Sequence, residues 1–539
     1  MIHFAELYTR LDRTTKTNQK ISALIHYFEA ADPADAAWAT YFLSGNRLGR
    51  VIATQLVRTW AAEEADIPAW LFEESYQTVG DLAETVALVV PDGNHHYSKS
   101  LAECVCEDLL PMRDLPEADQ RSRTLQIWRN TTKQVRFVFM KLLTGGFRVG
   151  VSKRLLIRAL SKHSGVNTEV IAHRLMGTWE STAESFLRLV DPDEGDSVAS
   201  RPYPFCLAHA VDNKRSIEQL GEHNEYAAEW KWDGIRGQLI RRQGQTFLWS
   251  RGEILMENTW PEIEAAAASL PDGTVLDGEI LAAATVGDVL PFDQLQRRIG
   301  KKRVGKKLLK EVPVVFHAFD LLEREGEDIR LEPFASRRKK LEALLRKVDP
   351  PNLRITQLMQ QTAWDQLAKI RETSRQHHAE GLMLKRLDAS YSVGRVTGTW
   401  WKWKVDPHTI DGVLIYGQKG HGRRANLFSD YTFAVWDGDA LVPFAKAYSG
   451  LSDQEIRQVD RFIRQNTSES FGPVRSVTPT LVMEIAFEGL RISKRHKSGV
   501  ATRFPRIVRW RHDKQPSDAS SLAELKALLD SPTEPIEQP

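Results

Sequence analysis

Apolar residues recur at helical spacing through the first part of the chain, up to about residue 195. Ile21, Leu24, Ile25 and Phe28 lie three or four positions apart, so they fall on one face of a helix. The same character continues over Ala34–Phe42, Leu125–Leu143 and Leu155–Leu160. Residues 1–195 are therefore predicted to form an all-α domain.

A polar segment rich in helix breakers separates this helical part from a middle part of different character. Asp191-Pro-Asp-Glu-Gly-Asp196 is followed by Arg201-Pro-Tyr-Pro204, which is typical of a linker between domains. Residues 205–405 then alternate between strand-like and helical patterns, which predicts an α+β domain. The predicted strands are Gly237–Ile240, Thr246–Ser250, Val275–Leu281, Val312–Asp320 and Gly381–Arg386, and the helices include Glu262–Leu270 and Arg337–Leu345.

Short segments of alternating apolar and polar residues dominate the chain from residue 409 onward. Their number and length suit a small β-barrel of the OB type. Residues 409–539 are therefore predicted to form an OB-fold domain with an inserted helix at Asp453–Gln465. The predicted strands are Gly412–Tyr416, Tyr431–Trp436, Phe444–Tyr448 and Leu481–Phe487.

Composition adds limits on the setting of the protein. At 539 residues the chain is too long for one core, and 42% hydrophobic with 27% charged residues indicates a soluble globular protein. No apolar run approaches the roughly 20 residues of a membrane span, so no membrane partner is expected. The three cysteines, Cys104, Cys106 and Cys206, suggest neither a disulfide framework nor a four-cysteine zinc site. A reducing, cytoplasmic location is expected.

Basic residues are clustered although the net charge is only +2. A single cluster of this kind is usually a solvated surface, but several in one enzyme-like chain favour contact with a phosphate backbone. The clusters are Lys301–Lys307, Arg337–Lys340 and Arg491–Lys514.

The segment Gly145-Gly-Phe-Arg-Val-Gly150 resembles a phosphate-binding loop. A P-loop needs Lys and then Ser or Thr after its last glycine, and Val151-Ser152 lacks the lysine. Two interpretations stay open: an ordinary turn between helices, and a helix start that binds a DNA backbone phosphate. In the second interpretation the DNA-binding residues are Arg148, Lys153 and Arg154.

Lys231-Trp-Asp-Gly234 ends an alternating segment that predicts a strand. The tryptophans on both sides of Lys231 would partly desolvate its amine, which favours the neutral form. A neutral lysine can attack a phosphoryl or carbonyl centre, and the Asp-Gly that follows suits a tight turn. Alone, this four-residue string is equally compatible with a surface turn.

Further charged residues stand beside strand-like apolar runs in the same region. Charges in such places are costly unless they are paired or bound to a ligand, so several in succession predict one polar cleft. Besides Arg236, the segments are Ser250-Arg-Gly-Glu253, Val275-Leu-Asp-Gly-Glu279, His317-Ala-Phe-Asp-Leu-Leu322, Glu380-Gly-Leu-Met-Leu-Lys385 and Thr399-Trp-Trp-Lys-Trp-Lys404.

These residue types point to phosphoryl chemistry. Glu279 and Glu380 can hold a hard divalent cation through oxygen ligands. Lys402 and Lys404 alternate along a strand, so both would face one side and neutralise charge on an α-phosphate. Phe319 can stack on a purine, although an isolated aromatic of this kind is more often part of a core.

Taken in order, the segments resemble motifs I, Ia, III, IIIa, IV, V and VI of the covalent nucleotidyltransferases, and their spacing resembles that of ATP-dependent DNA ligases, in particular the bacterial three-domain type. Motif VI would be Arg503-Phe-Pro-Arg506. The helical part is similar to the DNA-binding domain of the larger ligases, through Lys141-Leu-Leu-Thr-Gly-Gly-Phe-Arg-Val-Gly150. One departure is Trp232, where tyrosine is common.

The resemblance implies a role for each motif residue. Lys231 would attack the α-phosphate of ATP, and the AMP would pass to the 5′-phosphate of nicked double-stranded DNA before the strand is sealed. Mg²⁺ is the expected metal, with Mn²⁺ as an alternative, and a monomer is expected. The barrel would swing about a hinge near Val405-Asp-Pro407. By resemblance the ATP-binding residues are Glu229, Lys231, Arg236, Arg251, Glu279, Phe319, Lys402, Lys404, Arg503 and Arg506, and the metal ligands are Glu279 and Glu380.

Other classes remain as alternatives. An RNA ligase or a capping-type nucleotidyltransferase would share the lysine motif, but a capping enzyme does not need the long helical part in front. A catalytically inactive DNA-binding protein is disfavoured by the intact set of lysines and glutamates. An NAD-dependent ligase would carry a cysteine zinc finger, which three cysteines cannot form. The pathway and any repair-protein partner cannot be read from the sequence.

Overall fold

The computed structural model describes residues 1–529 apart from positions 50, 95, 146, 148, 178, 194–198, 212–216, 257–258, 284–288, 302–303, 361–362, 421–423 and 425. The chain forms two compact units. The first contains Met1–Thr15, Gly45–Gly150 and Asp406–Pro539, and the second contains Lys16–Ser44 and Val151–Val405. Each unit is described by itself.

Helices occupy the chain up to Val190, as the spacing of apolar residues predicts. A π-helix, Cys104–Leu109, joins α7 to α8. The helices are α1 Ile2–Asp12, α2 Thr17–Ala30, α3 Pro33–Leu43, α4 Thr54–Glu64, α5 Ala69–Val79, α6 Leu82–Val89, α7 Leu101–Glu103, α8 Leu110–Met112, α9 Glu117–Asn130, α10 Lys133–Thr144, α11 Lys153–Ser164, α12 Thr168–Arg174 and α13 Ala183–Val190.

The predicted stretch Leu125–Leu143 is two helices rather than one. Thr131 has an extended backbone, and the hydroxyl of Thr132 accepts a hydrogen bond from the Val135 amide at 3.2 Å, so α10 starts with its own cap. The buried Arg136 guanidinium donates to the carbonyls of Trp128 and Thr131 at 2.9 and 3.3 Å, which fixes the break. Helical spacing on both sides of a two-residue break hides the break in sequence.

Helices α2, α3 and α11–α13 belong to the second unit because they pack with one another and with the middle region. Phe28 of α2 stacks on Phe186 of α13, with ring centroids 5.7 Å apart. His173 of α12 stacks on Tyr203 at 5.0 Å, and a Cβ at Gly177 would lie only 2.9 Å from the Trp249 ring. For this reason no unit limit falls at the predicted domain limits near 195 and 205, whereas the second unit ends at Val405, where the middle domain was predicted to end. The domain limits stay predictions.

The middle region contains two main sheets, and the strands predicted there are confirmed. One sheet has the order β2-β12-β10-β3, the other the order β5-β4-β6-β7-β8 with β9 beside β7, and β1 pairs with β11. The strands are β1 Cys206–Leu207, β2 His209–Ala210, β3 Tyr226–Trp232, β4 Ile235–Arg242, β5 Gln245–Ser250, β6 Thr274–Ala282, β7 Val314–Arg324, β8 Glu327–Asp328, β9 Leu353–Ile355, β10 Ala379–Arg386, β11 Gly394–Arg395 and β12 Trp400–Lys404.

Helices cover the second of these sheets and complete its core. Ile263 of one helix and Leu341 of another pack with β-strand residues such as Leu276 and Phe316 in one buried cluster. The predicted helices are confirmed within a few residues at each end. The helices of this region are α14 Pro261–Ala267, α15 Phe292–Gln296, α16 Lys306–Glu311, α17 Phe334–Val348 and α18 Trp364–Glu372.

The C-terminal region forms a β-domain, which agrees with the predicted class. The long strand β13 pairs with β14 on one edge and with β17 and β18 on the other, as in a small barrel. The inserted helix α19 has the predicted bounds, and Ser452 and Glu455 form its capping box. Its elements are β13 His408–Lys419, β14 Phe428–Asp437, β15 Ala440–Ala447, α19 Asp453–Gln465, β16 Thr467–Phe471, β17 Val474–Val477, β18 Val482–Phe487, β19 Gly489–Ile492, β20 Val500–Arg503, β21 Arg506–Trp510 and α20 Leu522–Ala527.

Membrane-spanning helices are absent from the part of the chain that the structure describes, because none of its helices is both long and apolar enough.

A fully buried ion pair joins β7 to α17. The Arg337 guanidinium donates to both carboxylate oxygens of Asp320, at 2.8 and 2.9 Å, and neither side chain is exposed. Arg337→Met would leave the Asp320 charge buried without a partner, so we expect a loss of about 3–5 kcal/mol in the stability of the second unit. The stability is measured by thermal and denaturant unfolding. Arg346→Met, at an exposed position of the same helix, is the control variant. Equal stability of the two variants would contradict the prediction.

Candidate active site around Lys231

Lys231 lies near the end of β3, in the sheet that also contains Glu380, Lys402 and Lys404. Strand β10 runs between β3 and β12, with Gly381 opposite Lys404 and Met383 opposite both Lys402 and Glu229. The register shifts between Ala379 and Leu382, which is an irregularity next to Glu380. The sheet therefore brings together residues that lie far apart in the sequence.

Glycine is required at position 234 because the turn after Lys231 lies very close to β6. A Cβ at this position would lie 2.4 Å from the Ile280 carbonyl oxygen and 2.7 Å from Cγ of Glu279. Such contacts are too short for any side chain, so only glycine lets the turn rest on the strand that carries Glu279. The turn predicted from Asp-Gly is confirmed, with close approach as its physical reason.

One carboxylate holds two lysines. The Lys231 Nζ lies 2.5 Å from Glu380 Oε2, and the Lys404 Nζ lies 3.1 Å from the same oxygen. Burial raises the pKa of Glu380, but Lys231 and Lys404 outweigh it and hold that pKa below its ordinary value. The Lys231 side chain is 23% exposed, which agrees with the expected partial desolvation. Because an ammonium in an ion pair is not a nucleophile, an attack by Lys231 would first require loss of its proton.

Glu279 faces the same charges from β6. Burial raises the pKa of this carboxyl to about 8, although Lys231 and Arg236 act in the opposite direction. Among the described residues, no group of three or more His, Cys, Asp or Glu side chains is placed to hold a metal. A divalent cation at Glu279 and Glu380 would therefore take its remaining oxygen ligands from phosphates and water, which is how Mg²⁺ is commonly bound. The residues present fit such an ion.

Cations surround Lys402 of β12. Burial lowers the pKa of Lys402, and the nearby charges of Lys404, Arg395, Lys231 and Arg251 lower it further. This concentration of positive charge suits a polyphosphate. Sequence reasoning missed Arg395, because its place depends on the pairing of β11 with β1, and a two-residue strand leaves no periodic signal.

Arg236 is held by protein groups. Its guanidinium donates to the two carboxylate oxygens of Asp277, at 3.1 and 2.7 Å, and to the Cys206 carbonyl at 2.7 Å. Burial opposes its charge, but Asp277 outweighs burial and raises the pKa of Arg236. Its role as a ribose or phosphate contact stays a prediction, as does that of the exposed Arg251.

Glu229 and Phe319 both lie inside the domain. Glu229 is 2% exposed, and its side chain forms an ion pair with Lys385 of β10. Phe319 is 8% exposed and meets Trp400 edge to face, with centroids 6.0 Å apart. These are the contacts of a core aromatic, and stacking of Phe319 on a base stays a prediction. The sequence contained Lys385 inside a motif, but nothing in the pattern marked it as the partner of Glu229.

The three residues predicted to contact DNA differ in their surroundings. Lys153, the first residue of α11, forms an ion pair with Glu253 and donates to the Leu175 carbonyl at 2.9 Å. Arg154 is exposed, and Ser152 caps the helix by accepting from the Leu155 amide at 3.2 Å. Arg148 lies outside the described residues. The turn before α11 thus joins two helices, and phosphate binding there stays a prediction.

Arg503 and Arg506 belong to the first unit, where they flank the turn between β20 and β21. Phe504 in this turn has φ +52° and is 65% exposed, a strained backbone for a residue with a large side chain. Arg506 Nη1 lies 2.9 Å from Glu488 Oε1, and the Arg503 guanidinium lies 5.2 Å from the centre of the Phe504 ring. Strain and exposure at this turn are consistent with a functional segment.

Models of three protein families match most of the chain. The family described as DNA ligase N terminus matches residues 1–161, the ATP dependent DNA ligase domain matches residues 206–404, and the ATP dependent DNA ligase C terminal region matches residues 424–514. The middle domain contains a lysine-centred site, and in the chain it follows a helical domain and precedes a β-domain. This arrangement defines a covalent nucleotidyltransferase.

Relatives match over nearly the full length. A probable DNA ligase of Koribacter versatilis is 30% identical, with 96% of this chain and 94% of the relative covered. DNA ligase 1 of Korarchaeum cryptofilum is 27% identical, with 98% and 97% covered. A solved structure named Pmar-Lig_PreS3 has the same fold with a TM-score of 0.62 at 16% identity, covering 94% of this chain and 99% of that one. The chain belongs to the ATP-dependent DNA ligase family, whose function is to seal nicks in DNA with ATP.

A substitution at Lys402 tests whether this lysine binds a phosphate. Lys402→Met removes one positive charge beside the site where the nucleotide phosphates would bind, so we expect the rate of protein labelling by ATP to fall by about 10²–10³-fold. The measurement is the initial rate of label transfer from ATP to the protein, with Lys369→Met, at an exposed position of α18, as the matched control. A rate within twofold of the control would show that Lys402 is not a phosphate ligand.

Proposed function

We propose that Lys231 is the covalent nucleophile of this DNA ligase and that Glu380, Glu279, Lys402 and Lys404 complete its reaction centre. One observation carries this assignment: the Lys231 amine lies 2.5 Å from Glu380, which also binds Lys404. A nucleophile, a carboxylate and neighbouring cations are the groups that phosphoryl transfer to a lysine needs.

The proposed reaction has three displacements at phosphorus. The neutral Lys231 amine forms a P–N bond to the α-phosphate of ATP, the bond to pyrophosphate breaks, and the amine loses its proton. The 5′-phosphate of the nick then displaces Lys231 and takes the AMP. In the last step the 3′-hydroxyl attacks that 5′-phosphate, loses its proton and releases AMP. Positioning and charge neutralisation supply most of the acceleration in chemistry of this kind.

A divalent cation, Mg²⁺ or alternatively Mn²⁺, is proposed at Glu279 and Glu380, where it would neutralise charge on the phosphates. Glu380 would then exchange one cationic partner for another, since Lys231 occupies it in the structure. For the nucleoside, Glu229 is proposed to accept from the adenine amino group and Phe319 to stack on the base. Arg236 and Arg251 are proposed to contact the ribose and phosphates.

The helical domain is proposed to hold nicked duplex DNA through backbone contacts, with Arg148, Lys153 and Arg154 among them. Arg154 is exposed, and Lys153 would have to leave Glu253 to reach a phosphate. We further propose a monomer, a hinge near Val405-Asp-Pro407, and a cytoplasmic setting in which Cys104, Cys106 and Cys206 stay free thiols.

Lys231→Arg tests the nucleophile. Arginine keeps the positive charge for Glu380 but is not deprotonated at working pH, so covalent labelling by ATP should be abolished. The measurement is incubation with labelled ATP, GTP or NAD followed by a denaturing gel. The wild-type chain should take label from ATP and not from NAD, and Lys369→Arg should label like the wild type. Normal labelling of the Lys231→Arg variant would refute the assignment.

Arg503 and Arg506 are proposed to orient the pyrophosphate leaving group in the first step only. Arg503→Ala combined with Arg506→Ala should reduce formation of the lysyl–AMP by about 10²-fold or more, because contacts to developing phosphate charge are lost. The same variant should still seal a nick whose 5′ end already carries AMP. The two assays are run side by side on one preparation. Equal loss in both would indicate a folding defect or a direct role in DNA binding, and loss in neither would mark ordinary surface arginines.

A further inference from the structure

A buried lysine joins the two residues that are proposed to contact the base. On the β10–β3 pair, Glu229 lies opposite Met383, so Lys385 is its diagonal neighbour on the same face of the sheet. The two side chains form an ion pair, and they are only 1% and 2% exposed. A buried pair of this kind is costly to desolvate, and it does not by itself favour stability.

Aromatic rings enclose the ammonium of Lys385. Its Nζ lies 4.0 Å from the centre of the Phe319 ring, 4.4 Å from that of Trp400 and 5.2 Å from that of Phe334. These distances suit cation–π attraction, which is strong where water is excluded. The same Nζ lies 3.5 Å from the Phe319 carbonyl oxygen. Lys385 therefore fixes Phe319 and Glu229 relative to each other.

Only one oxygen of Glu229 is satisfied by Lys385. Oε1 takes the ion pair, while Oε2 is buried and has no hydrogen-bond partner among the described residues. Arg338 Nη1 lies 3.9 Å from Oε2, which is too far for a hydrogen bond, and this nitrogen is also without a hydrogen-bond partner among the described residues. A buried acceptor of this kind is available for a donor group of a ligand.

We propose that Lys385 is a positioning residue for nucleotide selection, which keeps Glu229 ionised and aligned so that it accepts the 6-amino group of adenine and rejects the 6-oxo group of guanine. This inference rests on the proposed role of Glu229. An ionised carboxylate only accepts hydrogen bonds, so it repels a carbonyl oxygen. A protonated carboxyl has both a donor and an acceptor, so it can bind either base.

The protonation of Glu229 depends on the charges around it. Burial raises the pKa of Glu229, Lys385 of β10 and Arg338 of α17 lower it, and Asp320 of β7 raises it. Asp320 is itself neutralised by Arg337. Removal of the Lys385 charge would raise the pKa of Glu229 further. The protonated carboxyl would then be favoured, and a higher pH would favour the ionised form.

The test compares labelling of the full-length protein by ATP and by GTP at equal, subsaturating concentrations. For Lys385→Met we expect the ratio of the two rates to fall by about tenfold or more near pH 7, because the selective acceptor is lost. The ratio should increase as the pH is raised from about 7 toward 9, because a higher pH favours the ionised carboxylate of Glu229. Lys385→Arg keeps the charge and should keep the preference for ATP, and Lys369→Met is the matched control for loss of a lysine charge.

A merely structural role would give a different pattern. A folded Lys385→Met protein with an unchanged ratio at both pH values would overturn the inference, and so would a reduced ratio that does not respond to pH. Should the methionine variant fail to fold, Lys385→Gln retains a hydrogen-bond donor without the charge, and the same pH-dependent loss is expected of it. If the wild-type chain takes no label from ATP, the proposed function fails, and this inference fails with it.

Discussion

The attraction of two lysines to one carboxylate is the interaction on which the site depends. Lys231 lies on β3, Lys402 and Lys404 lie on β12, and β10 runs between these two strands. The three like charges repel one another, and a nearby anion offsets this repulsion. Glu380 is that anion for Lys231 and Lys404. In the proposed mechanism, a triphosphate would compete with Glu380 for these lysines, while a divalent cation would compete with the lysines for Glu380. Binding of ATP and release of Lys231 from its ion pair would therefore be parts of one exchange of partners.

Most elements of the fold could be predicted from periodicity, since helices and strands with one buried face leave a regular signal. Helix Asp453–Gln465 and the strands around Val275 and Gly381 show this. The break between α9 and α10 could not be predicted, because helical spacing continues on both sides of Thr131. The grouping of Lys16–Ser44 with Val151–Val405 was equally hidden, because it depends on contacts between residues remote in the chain.

The sequence predicts which residue types form the site better than it predicts which residues pair with each other there. Lys231, Glu380, Lys402 and Lys404 stand in short motifs beside strands, and the β3-β10-β12 order brings them together. The partners of the remaining residues depend on three-dimensional pairing that no local pattern encodes. Arg236 is bound to Asp277, Glu229 to Lys385 and Lys153 to Glu253. Whether these pairs open for a ligand is a question of competing charges and not of sequence pattern.

The site has a consequence for how the protein is made. Arg236 contacts Tyr391 across 155 positions of the chain, and β3 pairs with β10 over a similar separation. Because β10 is the strand that pairs with β3, a nascent chain on the ribosome cannot form this part of the sheet until β10 has been synthesised. Chains grow at about 5–20 residues per second, so the roughly 150 residues between β3 and β10 take about 8–30 s to be synthesised.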